Sequence, residues 1–168
     1  MSIASTMTAL ANAVRGKTGA TGNLSVAAMT TALDNMIDAG KMIDRSITAA
    51  NIPPGVTSIG NYAFTTCYAL ASVTIPASVT AIGNAAFQST VLASVTLPDG
   101  LLSIGNNAFQ GCRFATVAIP AGVTSIGLNA FYNCPNLTDI YCGFAEGAVS
   151  GAPWGATSAT IHYNSTGE

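Results

Sequence analysis

Among the residues able to do chemistry, four cysteines and one histidine come first, because thiolates and imidazoles bind metals, exchange disulfides and act as nucleophiles and bases. Cys67, Cys112 and Cys134 each stand three residues after a phenylalanine, and Thr90 holds that place after Phe87. No pair has CxxC spacing, and His162 is far from all but Cys142, so neither a metal set nor a Cys–His dyad can be assembled. The pattern predicts small buried side chains, with Cys142 in a strand position and equally part of the core. The chain has only two glutamates, Glu146 and Glu168, and no aspartate pair inside the repeated region to divide acid and base roles. Gly16-Lys17-Thr18 has the ending of a phosphate-binding loop, but Ala11 stands where that motif needs glycine. The expectation is therefore no catalysis, no cofactor and no metal.

The elements that position these residues repeat. Ile52-Pro53, Ile75-Pro76, Leu97-Pro98 and Ile119-Pro120 are separated by 23, 22 and 22 residues, and Ile59, Ile82, Ile104 and Ile126 keep the same steps. Phe64, Phe87, Phe109 and Phe131 form a third ladder with that period. Within a unit, Val73 and Ile75 alternate with Ser72 and Thr74, the pattern of a strand with one buried face, which Pro76 ends. Val79 and Ile82 begin another apolar side, Gly83 is read as permitting a turn, and Asn84-Ala85-Ala86-Phe87 as a short helical turn that drops Phe87 inward. Phe64 to Ile75 and Phe131 to Cys142 span 11 residues, whereas Phe87 to Leu97 and Phe109 to Ile119 span 10, so the change is assigned to a loop after the cysteine position. A weaker unit at Ile47, Ala50 and Ile52 gives four to five coils.

The string Ile-Pro-x-x-Val-Thr-x-Ile-Gly-x-x-Ala-Phe-x-x-Cys-x-x-Leu resembles the BspA-type leucine-rich repeats of bacterial surface and phage proteins, over residues 47 to 142. The resemblance implies a right-handed solenoid with one parallel sheet along one side, each coil adding roughly the spacing of neighbouring strands.

Charged residues make up 7% of the chain, and between residues 46 and 145 only Asp99, Arg113 and Asp139 carry charge. With a formal net charge of −2 there is no cationic stripe to neutralise phosphates, which excludes a nucleic-acid partner. A composition boundary falls near residue 45. The domain reading is 1–45 for a helical attachment or capping segment, 46–142 for the solenoid and 143–168 for a C-terminal cap built around Phe144, Val149 and Trp154. Ile3, Met7, Leu10 and Val14 share one face of a predicted helix, and Val26, Met29 and Leu33 one face of a second, capped by Ser25. Leu10 to Gly19 with Leu24 to Met29 is similar to a short module placed before such repeats in phage structural proteins. No basic, apolar leader opens the chain and no stretch approaches 18 uninterrupted apolar residues, so membrane insertion is not expected.

Recognition then falls to the outward side of the strands. Ser72 and Thr74, Ser94 and Thr96, Thr116, and Asp139 with Tyr141 flank the buried positions and would align as a neutral hydroxyl ladder; the plain alternative is a solvated sheet face. The functional expectation is a non-enzymatic virion accessory protein of a bacteriophage, attached through the N-terminal hairpin to other virion proteins and displaying a surface for host protein or glycan. Self-association is expected with it. The alternative is a BspA-like adhesin on the bacterial cell surface.

Overall fold

The computed structural model describes residues 47–167, which form a β-solenoid of about five turns. The helical hairpin expected around Ile3, Met7, Leu10, Val14, Val26, Met29 and Leu33 lies outside the described residues.

Each coil has three sides. The first is built from β1 (Ala49–Asn51), β3 (Ser72–Thr74), β6 (Thr116–Ile119), β8 (Asp139–Cys142) and β9 (Thr160–Tyr163). Alternation sets which residues face inward: Val117 and Ile119 are buried while Thr116 and Ala118 are exposed. The second side, from the Val-Thr-x-Ile-Gly string, holds the two-residue strands β2 (Ser58–Ile59), β4 (Ala81–Ile82), β5 (Ser103–Ile104) and β7 (Ser125–Ile126), which pair in that order in parallel. Their isoleucines are in register, Ile59 with Ile82, Ile82 with Ile104, Ile104 with Ile126.

The third side differs from the expected helical turn, for among the described residues there is no helix. Here the backbone amides alternate in direction. Tyr62, Phe64 and Thr66 donate to the carbonyls of Asn84, Ala86 and Gln88 on the next coil, while Ala63, Thr65 and Cys67 donate to carbonyls three residues back on their own. Such alternation requires left-handed residues at fixed places: Tyr62 and Thr66, Ala85 and Ser89, Asn107 and Gly111, Asn129 and Asn133 all have φ between 51° and 77°. A helix would direct every amide within its own coil; this run sends half of them along the solenoid axis and welds coil to coil.

The strand side is also not one sheet. β1 pairs with β3, and β6 with β8 and β9, but residues 94–97 between them belong to no strand. The interruption falls at the first coil whose connection from Phe is one residue shorter.

Inside, Phe64, Phe87, Phe109 and Phe131 stack face to face, with ring centroids 5.2, 5.4 and 5.7 Å apart and planes within 8° of parallel. That spacing is the coil repeat read from the core. Phe114 meets Phe109 and Phe131 edge-on. The glycine of each Ile-Gly pair serves close approach rather than a turn: a Cβ on Gly105 would sit 2.6 Å from the Gly83 carbonyl carbon and the Asn84 nitrogen, and one on Gly83 2.6 Å from the Asn61 nitrogen.

The segment expected as a cap contributes a further strand, β9, in parallel register with β8. Trp154 is buried beyond the last Phe, meets Phe144 edge-on at 6.3 Å, accepts the Phe131 amide at its carbonyl and donates its indole N–H to the Ser150 carbonyl.

Candidate interaction surface

Outward residues of the strand side stand in two columns. The first runs Ala49, Ser72, Thr116, Asp139, Thr160 and the second Asn51, Thr74, Ala118, Tyr141, His162, as the parallel registers set them. Ser94 and Thr96 lie between the two sheets in the stretch without strand structure, so the hydroxyl ladder is divided rather than continuous. Ser72, Thr74, Ser94, Thr96 and Thr116 are exposed, and none of their hydroxyls is engaged by another described side chain or carbonyl. The threonines of the Val-Thr string behave differently: Thr80 Oγ1 donates to the Thr57 carbonyl and Thr124 Oγ1 to the Leu102 carbonyl, both at 3.2 Å. The five strand-side hydroxyls are left for water or a ligand.

Asp139 and Tyr141 form a corner that is already occupied. His162 Nε2 lies 2.8 Å from Asp139 Oδ1, and its ring stacks on Tyr141 with centroids 4.7 Å apart and planes 14° from parallel. The hydrogen bond to His162, then one to Thr138, holds the Asp139 carboxyl below the usual carboxylate range. The chain end packs on the same ring, since a Cβ on Gly167 would fall 2.9 Å from Tyr141 Cγ and Cδ2. Sequence reasoning set His162 apart from the repeat. The signal that could have placed it is the alternation Ile161-His162-Tyr163, which reproduces Ile140-Tyr141-Cys142 after a shortened period of 21 residues.

Cys67, Cys112 and Cys142 are buried inside the solenoid and Cys134 is half-buried. Cys112 Sγ donates to the Phe87 carbonyl at 3.4 Å and Cys134 Sγ to the Phe109 carbonyl at 3.2 Å, while Thr90 at the equivalent place donates to the Phe87 carbonyl and lies 3.3 Å from Cys112 Sγ. Burial pushes the Cys112 thiol up to about 12 and those of Cys134 and Cys142 up to about 11. Such thiols are protonated and poor nucleophiles at neutral pH. Among the described residues no three His, Cys, Asp or Glu side chains come together as a metal set, and no helix is long and apolar enough to cross a membrane.

An asparagine ladder, missed in the sequence, edges the second side. Asn61 Oδ1 accepts the Asn84 amide, Asn84 Oδ1 the Asn106 amide, and Asn106 Oδ1 the Leu128 amide, at 2.7 to 2.8 Å. Leu128, 74% exposed, ends it where β7 ends the sheet and no further coil needs an acceptor.

Known proteins share this architecture. A leucine-rich repeat protein from Bacteroides ovatus is 34% identical over 58% of this chain and 32% of its own, with a TM-score of 0.51. A leucine-rich repeat protein of T. pallidum is 27% identical over 71% of this chain and 57% of its own, with a TM-score of 0.57. The chain thus spans between a third and three fifths of the length of these relatives. None of the curated proteins matches it. The family described as BspA type leucine rich repeat region matches residues 39–144 in six copies, well over half of the chain, and it is to this family that the protein belongs.

Proposed function

We propose that the chain is a non-catalytic recognition module of the BspA-like adhesin kind, displayed on a bacterial cell surface, with the strand side as its contact face for protein or glycan. The observation that carries this reading is the set of five exposed, unengaged hydroxyls at Ser72, Thr74, Ser94, Thr96 and Thr116 on one side of a body whose Thr80 and Thr124 hydroxyls and asparagine ladder bond from coil to coil. Neutral hydroxyls suit hydrogen bonding to sugars and to peptide backbone, and the scarcity of charge disfavours a partner chosen by electrostatics. Family membership and the bacterial relatives favour the cell surface. The Asp139–Tyr141 corner, closed by His162 and Gly167, is a less suitable contact than the hydroxyl columns.

A virion accessory protein of a phage is the second reading, favoured by the similarity of Leu10 to Gly19 and Leu24 to Met29 to a module of phage structural proteins. In it the N-terminal segment joins other virion proteins and copies of the chain.

Antibody labelling of intact producer cells and of purified particles separates the two. Surface labelling with none on particles supports the adhesin, and the reverse supports the virion protein. For the contact face, binding of the purified chain to a glycan array and to host-cell surfaces is compared with Thr74→Lys and Thr96→Lys. Binding that survives both substitutions unchanged removes the strand side from the reading.

A further inference from the structure

One position of the third side carries thiols on successive coils. Cys67, Thr90, Cys112 and Cys134 share it, three residues after the stacked Phe of each coil. Thr90 separates Cys67 from Cys112, and Cys142 lies on the strand side, so among the described residues Cys112 and Cys134 are the one cysteine pair on adjacent coils. The Phe109 and Phe131 rings that precede them are 5.7 Å apart. A disulfide joins residues whose Cα atoms stand about 4.4–6.8 Å apart, so one coil step is a distance it can span.

The side-chain positions narrow the gap. The Phe109 carbonyl oxygen lies 3.1 Å from the Cys112 amide nitrogen and 3.2 Å from Cys134 Sγ, so the Cys134 sulfur rests against the Cys112 backbone. The Cys112 amide also faces that sulfur. Cys112 Sγ is turned the other way, toward the preceding coil, 3.4 Å from the Phe87 carbonyl oxygen and 3.3 Å from Thr90 Oγ1. Thr90 shows a second orientation open to this position, because its Oγ1 donates to the carbonyl three residues back on its own coil, at 3.0 Å. In that arrangement the γ atoms of adjacent coils are 3.3 Å apart across 22 residues, the same count that separates Cys112 from Cys134. Cys112 turned as Thr90 is turned brings its sulfur to the Phe109 carbonyl, where the Cys134 sulfur already sits. The move gives up weak thiol hydrogen bonds and needs one rotation about a single bond.

We propose that Cys112 and Cys134 are an oxidisable pair, closing a disulfide between the Phe109 and Phe131 coils of the folded chain when a low-molecular-weight disulfide is the oxidant. Half-buried Cys134 is the member that such an oxidant can reach. It loses its proton to solvent, and its thiolate attacks the oxidant, forming a mixed disulfide and releasing one small thiol. Cys112, deprotonated in turn, attacks the Cys134 sulfur and releases the second. The chain gives up two protons and two electrons, and the oxidant is reduced to two thiols. Burial pushes both thiol pKa values up, so the reaction runs through a small thiolate fraction and quickens as pH rises. The closed loop restricts the unfolded chain, which makes the oxidised form the more stable one. None of this depends on what the strand side binds.

The test incubates the full folded chain with oxidised glutathione at mildly alkaline pH, beside a sample kept in reduced glutathione. Thiols counted after unfolding should fall from four to two. Peptide mapping without reductant should find Cys112 joined to Cys134, and the oxidised chain should melt at a higher temperature than the reduced one. Cys134→Ser should lose both the bond and the gain. Four thiols remaining after prolonged exposure overturn the proposal. So does a stable glutathione adduct on Cys134, which shows that the Cys112 sulfur does not turn to meet it. A bond to Cys67 or Cys142, a bond that forms only in denaturant, or a lower melting temperature on oxidation counts equally against the pair.

Discussion

At the scale of single residues, the ring column and the glycine column carry opposite demands. Phe109 is fully buried between Phe87 and Phe131 and touched edge-on by Phe114, so truncation loses stacking on both faces and leaves a cavity. Phe109→Ala should cost about 3–5 kcal/mol in urea unfolding, and a loss under about 1 kcal/mol would place the ring in solvent. Gly105 fails in the other sense, by excess. Gly105→Ala puts a methyl 2.6 Å from backbone atoms of the coil beneath, so the same measurement should show a loss of about 1–3 kcal/mol or more. The thiols give a pH dependence. Burial raises the Cys112 pKa in the folded chain from 9.0 to about 12, so the unfolded chain ionises first as pH rises. Stability from this group is therefore complete below pH 9 and is lost between 9 and about 12. Thermal melts across that window should fall less steeply in Cys112→Ala, and identical slopes would show that Cys112 ionises freely in the folded state.

At the scale of elements, the third side decides how coils are joined. Its alternating amides work only because two residues four apart in each run accept a left-handed backbone, a conformation that costs an L-residue roughly 1–2 kcal/mol and glycine nothing. Ser89, at φ 58°, holds the place that Gly111 holds on the next coil, and its hydroxyl has no described partner. Ser89→Gly should therefore raise the unfolding free energy by up to about 1 kcal/mol, the gain in the folded state being offset by the freer unfolded chain. A clear loss of stability in that variant would mean the strain is absent. The strand side, by comparison, is interrupted, so the coil of residues 94–97 is joined to its neighbours by the second and third sides, by the ring stack and by the amides of Val91, Ala93 and Arg113, which donate to Leu70, Ala71 and Leu92.

For the whole molecule, a solenoid grows by nearest-neighbour contacts and is vulnerable at its ends. Trp154 covers the C-terminal end of the Phe column and exchanges three hydrogen bonds, with Phe131, Gly151 and Ser150. Trp154→Ala should cost about 3–5 kcal/mol, with faster amide exchange confined first to the last coils. Exchange rising uniformly from end to end would instead describe one cooperative block without a cap.

The repeat itself was legible from one sequence, because period, alternation and the Ile-Pro stops are local facts that each coil restates: Ile52, Ile75, Leu97 and Ile119 needed no neighbour to be recognised as one column. Buried cysteines were legible for the same reason, from their fixed offset to Phe. What the tertiary structure decided is everything set by contact between coils. Asn84-Ala85-Ala86-Phe87 has no local feature that forbids a helix, and only the carbonyls of the following coil draw its alternate amides outward. Gly83 reads as a turn residue until Asn61 is found beneath it. Tyr141 and Asp139 read as an open recognition corner until β9 brings His162 beside them. Sequence periodicity fixes which residues share a column, since that depends on count alone. It cannot fix which groups within the column are already satisfied, since that depends on distances across a gap of about 5 Å between residues some 22 positions apart.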